Sequence, residues 1–162
     1  MSSHNTLVSD QETLGKLLAS RWKEACAVVD RLEDLNVGWA IGESEHFRKE
    51  RGFAVTRFFG DGQFHLIWSE EILGQPLSRV DAITCHEIGH VADFGLPFIE
   101  DHLKEALPER METVVVPPES QRELRADCLA YLLFDVLIRY DSEDIQTLDP
   151  SGVAPRPERL GL

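Results

Sequence analysis

His86, Glu87 and His90 stand in the order H-E-x-x-H within Thr84-Cys85-His86-Glu87-Ile88-Gly89-His90-Val91. Residues four apart on an α-helix differ by about 40° in direction and about 6 Å in rise. Two imidazoles so placed can reach one tetrahedral zinc ion at about 2 Å each. Glu87 follows His86 directly, so its carboxylate falls beside the metal rather than on it. There it can take a proton from a metal-activated water and deliver it to a leaving amine. The chemistry expected is metal-assisted hydrolysis, with one Zn2+ per chain and Glu87 as general base.

A catalytic zinc site takes three protein ligands and keeps a further position open. Glu123, in Glu123-Leu124-Arg125-Ala126-Asp127, is the expected third ligand. Asp127 lies four residues on, on the same helix face, and can accept a hydrogen bond from the far nitrogen of His86 or His90, setting tautomer and orientation. Ala126 and Ala130 allow two helices to approach closely, and Gly89 is the matching flat spot. A plainer role exists for each residue. H-E-x-x-H arises by accident, and its histidines can be ordinary core or surface residues. Ser120-x-x-Glu123 also reads as a capping box, in which Glu123 serves only the helix start. An unbridged acid pair at i and i+4 repels itself, which favours the ligand role. Asp93 competes for that role, but its short side chain lies beyond His90. Asp101 and His102 are weaker alternatives.

The two motifs together, His86-Glu87-Ile88-Gly89-His90 and Glu123-Leu124-Arg125-Ala126-Asp127, resemble those of gluzincin metallopeptidases. The match is also similar to minigluzincins and to ImmA/IrrE-type peptidases. It covers roughly residues 52–133. The resemblance implies a zincin-like fold and a peptidase. It also implies a hairpin edge strand before the active-site helix, whose free backbone groups pair with an extended peptide. His65, Leu66, Ile67 and Trp68 stand where that strand belongs. The metzincin extension is absent, because Asp93 stands where its glycine would be. The family's oxyanion-stabilising residue has no clear match among Tyr131, Tyr140, His102 and Arg125.

The elements that must position these residues follow from periodicity. Leu14, Leu18, Trp22, Ala25, Val29 and Leu32 recur at helical spacing over Gln11–Leu35, with Ser9 or Asp10 as cap and Lys16, Arg21, Lys23 and Glu24 on other faces. Three runs rich in β-branched and aromatic residues follow: Val37–Ile41, Gly52–Phe59 and Gln63–Ser69. Phe59-Gly60-Asp61-Gly62-Gln63 joins the last two as a hairpin, and an antiparallel meander is the simplest sheet. A helix from Ser78 or Asp81 to Phe94 carries the first motif and ends at Gly95-Leu96-Pro97. A weaker helix covers Phe98–Ala106, and Met111–Val116 reads as extended. After Pro117-Pro118, a second strong helix runs over Glu119–Tyr140 with Glu123 near its start. The expectation is an α+β, zincin-like domain over residues 1–140: an N-terminal helix, a small antiparallel sheet, an active-site helix and a ligand-bearing C-terminal helix. Residues 141–162 read as a polar, proline-containing tail.

The 162 residues suit one domain, and 43% hydrophobic composition supplies a core without disulfides. A formal charge of −13, from 16 basic and 29 acidic residues, disfavours nucleic acid as partner. A peptide or protein substrate, better a basic one, suits that field. Three cysteines, Cys26, Cys85 and Cys128, fit a reducing compartment, and Cys85 and Cys128, beside site residues, are expected to be small buried residues. With no signal-peptide pattern and no apolar run near the roughly 20 residues that span a bilayer, a cytoplasmic protein away from membranes is expected. The rival of another class is a regulatory zinc-binding protein of the same fold that binds a partner and cleaves nothing.

Overall fold

Helix α1 (Gln11–Val28) starts where the Asp10 carboxylate accepts the backbone N–H and the hydroxyl of Thr13, each at 2.8 Å. A computed structural model describes residues 6–43, 53–141 and 144–148, with side chains to residue 138. The expected helix to Leu35 is shorter: it stops at Val28, and a 3-10 turn over Asp30–Asp34 follows. Val29 and Leu32 stay buried, so the apolar stripe continues through the tighter turn. Arg21 departs from its expected place on a polar face and is buried with Leu14, Leu17, Leu18 and Ala25.

The three strand runs form β1 (Asn36–Gly42), β2 (Ala54–Gly60) and β3 (Gln63–Ser69). Asp61 and Gly62 link β2 to β3 with φ of 50° and 73°, the left-handed pair that an Asp-Gly hairpin turn requires. The sheet order is β1-β3-β2. β2 pairs antiparallel with β3, but β1 pairs with β3 in parallel. The sheet is therefore mixed, and the expected antiparallel meander is corrected. The side chains give the reason. Phe64, Leu66 and Trp68 of β3 are almost fully buried, and the strand that buries most gains most from the centre. β2 exposes Arg57, Phe58 and Phe59, as an edge strand can.

Helix α2 (Leu77–Gly95) carries the first motif, followed by α3 (Ile99–Ala106) and α4 (Pro108–Thr113). The extended run expected over Met111–Val116 is half helical, because Pro108 is pre-set for a first helical turn. A 3-10 turn at Glu119–Gln121 leads into α5 (Arg122–Phe134). The helix expected to reach Tyr140 ends at Phe134, where Asp135 turns left-handed with φ of 56°. Strands β4 (Leu137–Asp141) and β5 (Asp144–Leu148) then form an antiparallel hairpin beside α2. β5 lies within the segment expected to be a polar tail; residues 149–162 lie outside the described residues.

Helices α1, α2 and α5 pack against one another around a core that includes Leu14, Leu17, Ile88 and Leu129. The α2–α5 contact closes at Gly89, where a Cβ would lie 2.5 Å from the Ala126 carbonyl oxygen. That neighbour is backbone and cannot swing aside, so the flat spot at Gly89 is obligatory. On another face of α2, Arg21 grips Asp81 with two bonds, Nε to Oδ1 at 2.8 Å and Nη2 to Oδ2 at 2.7 Å. No described helix is long and apolar enough to cross a membrane.

Candidate metal centre

The close α2–α5 contact sets two pairs of motif residues face to face. His86 and His90 project from α2, with rings 4.7 Å apart and nearly perpendicular. Glu123, in the first turn of α5, reaches both: Oε2 lies 2.7 Å from His86 Nε2, and Oε1 lies 3.4 Å from His90 Nε2. The two Nε2 atoms are 3.1 Å apart. One donor atom from each of the three residues falls within 4.8 Å of the others, so His86, His90 and Glu123 form a group that can hold a metal ion.

The hydrogen bonding tests whether a cation fits. Asp127, one turn along α5, lies with Oδ1 2.7 Å from His86 Nδ1. A carboxylate accepts, so His86 donates from Nδ1, which leaves Nε2 as the atom facing Glu123 and His90. Two imidazole nitrogens and a carboxylate oxygen then meet, and a proton or a metal ion can lie between them. Titration points the same way. Burial pushes the His86 imidazolium pKa down, but Asp127, Glu87 and Glu123 outweigh it and raise it to about 9. Burial and the charge on His86 push His90 down, and the two histidines draw the Glu123 carboxyl below its usual range against the effect of its own partial burial. Without a metal that proton rests on His86; the same three groups can hold a metal ion, and two imidazoles with one carboxylate are a donor set that zinc accepts.

Glu87 is not one of the three grouped residues. It is 8% exposed, and its Oε2 accepts a hydrogen bond from the Thr56 hydroxyl of β2 at 2.5 Å. Its neighbour on the chain is a ligand candidate, yet its carboxylate lies outside the donor group. Thr56 was not foreseen, because nothing local in Ala54-Val55-Thr56-Arg57 marks it.

The expected edge strand needs correction. His65, Leu66, Ile67 and Trp68 lie on β3, which has β1 on one side and β2 on the other. Their backbone groups are engaged in the sheet, and Leu66 and Trp68 are core side chains. β2 is the outer strand on the α2 side, as the Thr56–Glu87 bond shows. The competing ligand Asp93 is occupied: its Oδ1 accepts from Arg125 Nε at 2.8 Å. Arg125 also donates to Glu100 at 2.7 Å and to the Pro117 carbonyl at 3.0 Å, which ties α5 to its surroundings. The capping-box reading of Ser120 and Glu123 is not realised, since α5 has no side-chain cap and begins after Gln121. All three cysteines are free. Burial raises each thiol, Cys26 to about 11 and Cys85 well above the ordinary value, which is the behaviour of inert packing residues.

No family model matches the chain, and neither the curated proteins nor the solved structures contain a significant match.

Proposed function

We propose that the chain is a zinc-dependent metallopeptidase, with His86, His90 and Glu123 holding one Zn2+ and Glu87 acting as general base. One observation carries the reading: three donor groups converge from α2 and α5, and a buried carboxylate that is not one of them stands next to them in sequence. The likeness of both motifs to those of gluzincin peptidases supports it. Zinc bound there would supply Lewis-acid activation of a water and of a peptide carbonyl. Glu87 takes a proton from the attacking water and passes it to the departing amine. The Thr56 hydroxyl holds that carboxylate in place before substrate arrives. Asp127 fixes the His86 ring and the tautomer that leaves Nε2 free for the metal. An extended peptide pairs with the outer edge of β2, the role first expected of β3.

The test is turnover of a peptide library by zinc-loaded wild type and Glu87→Gln. The expected result is a loss of about 10²–10⁴-fold with zinc content unchanged. Equal and negligible turnover in both would leave a zinc-binding protein that cleaves nothing.

A further inference from the structure

Among the described residues, guanidinium groups lie over aromatic rings at Arg21–Phe134, Arg79–Phe53, Arg110–Tyr131 and Arg122–Phe94. Three of these arginines are also bonded to oxygen. Arg21 holds Asp81 and Glu24, Arg79 holds the Gln75 side chain, and Arg110 holds Asp135 and the Tyr131 carbonyl. Arg122 makes no ion pair or hydrogen bond to a side chain or carbonyl among the described residues; its guanidinium sits 4.6 Å from the centre of the Phe94 ring. Of these four, Arg122 is the one that meets a ring and no oxygen acceptor among the described residues, in a chain of net charge −13. Arg122 is also the first residue of α5, where the positive end of the helix disfavours a cation. Helix stability does not account for it.

Its position does. Phe94 lies one turn beyond His90 on α2, with ring centroids 6.4 Å apart, and is 54% exposed. Arg122 immediately precedes Glu123 on α5. The stacked pair therefore borders the donor group on both helices that supply it. A guanidinium lying over a ring still has N–H groups to donate, and its fork matches a carboxylate with two parallel bonds. Such a shelf is within reach of a side chain or chain end one or two residues from a bond placed at the metal.

We propose that Arg122, held over Phe94 beside His90, is a subsite that reads a carboxylate on the bound peptide, either an acidic side chain or a free C-terminus. The inference rests on the peptide reading of the metal centre and adds a preference to it. Net charge favours basic partners at long range; Arg122 imposes an acidic requirement at one position.

The test uses the full-length, zinc-loaded Glu87→Gln protein to capture peptides from two random libraries, one with free and one with amidated C-termini. Enrichment of Asp and Glu at one position in both libraries identifies an acidic side chain. Capture confined to the free-acid library identifies the C-terminus. Adding Arg122→Glu should lower affinity for the captured peptides by on the order of tenfold or more and shift selection towards Lys and Arg, with zinc content retained. An acid at the helix start is favourable, so this variant is expected to fold. Capture without acidic preference, or a preference that survives Arg122→Glu, overturns the subsite. Wild-type cleavage of the same libraries judges the peptidase reading separately.

Discussion

Two polar clusters hold α2, and they differ in what joins their charges: a permanent guanidinium in one, titratable imidazoles in the other. Asp81 lies about 140° around the helix from His86 and about 180° from His90. On its side, Arg21 answers the carboxylate with two hydrogen bonds and places its third nitrogen on Glu24 at 2.8 Å. Asp81 is fully buried, and the Cys85 thiol lies 3.7 Å from it as a further donor. Every charge there has a partner within the chain, so the cluster fastens α1 to α2 and needs nothing more. On the other side, His86, His90 and Glu123 bring three metal-ligating atoms within 4.8 Å of one another, with a proton on His86 as the only positive charge between them that the group itself supplies. A permanent ion pair marks a fastening; imidazoles that can give up a proton beside a carboxylate mark a place a metal ion can take.

That contrast can be broken by substitution. The largest effect is expected at the closed cluster. Arg21→Met leaves Asp81 as an uncompensated buried charge and should lower unfolding free energy by about 3–5 kcal/mol, measured by denaturant titration. Adding Asp81→Leu should recover much of that loss, since two well-packed apolar groups can replace a buried pair. Failure to recover would mean that the pair does more than fasten. Next comes Glu123→Ala. It should barely change the stability of the metal-free protein, because the side chain is 75% exposed. Zinc affinity should fall by more than the roughly 10–100-fold expected for an outer partner, as read by competition with a chromogenic chelator. The smaller effect belongs to Asp127→Asn, with a loss of zinc affinity within that 10–100-fold range. If Asp127→Asn costs more than Glu123→Ala, the roles of ligand and supporting partner are reversed.

Much of the site was legible from local pattern. The spacing of His86 and His90, and of Glu123 and Asp127, needs only the α-helical repeat to predict which residues share a face. The small residues Gly89 and Ala126 indicated where two such faces could meet, and the backbone contact there agrees. Periodicity also located α1, the β2–β3 hairpin and α2, because each is written in residues close along the chain. The short helix α4 and the early end of α5 escaped notice: a proline-started turn and a left-handed Asp135 leave faint marks in composition.

What the sequence determined by itself is the chemistry on offer: two imidazoles, a base candidate and an acid pair at helical intervals. Only the tertiary structure decided which strand is outermost. Alternation of side chains says which face of a strand is buried, not which strand lies beside it, so the parallel pairing of β1 with β3 made β2 an outer strand among the described residues. Three-dimensional packing likewise turned Arg21 inward to Asp81, set Thr56 against Glu87 and stacked Arg122 on Phe94. Each of those contacts joins residues more than 25 positions apart, a separation over which short-range periodicity carries no information.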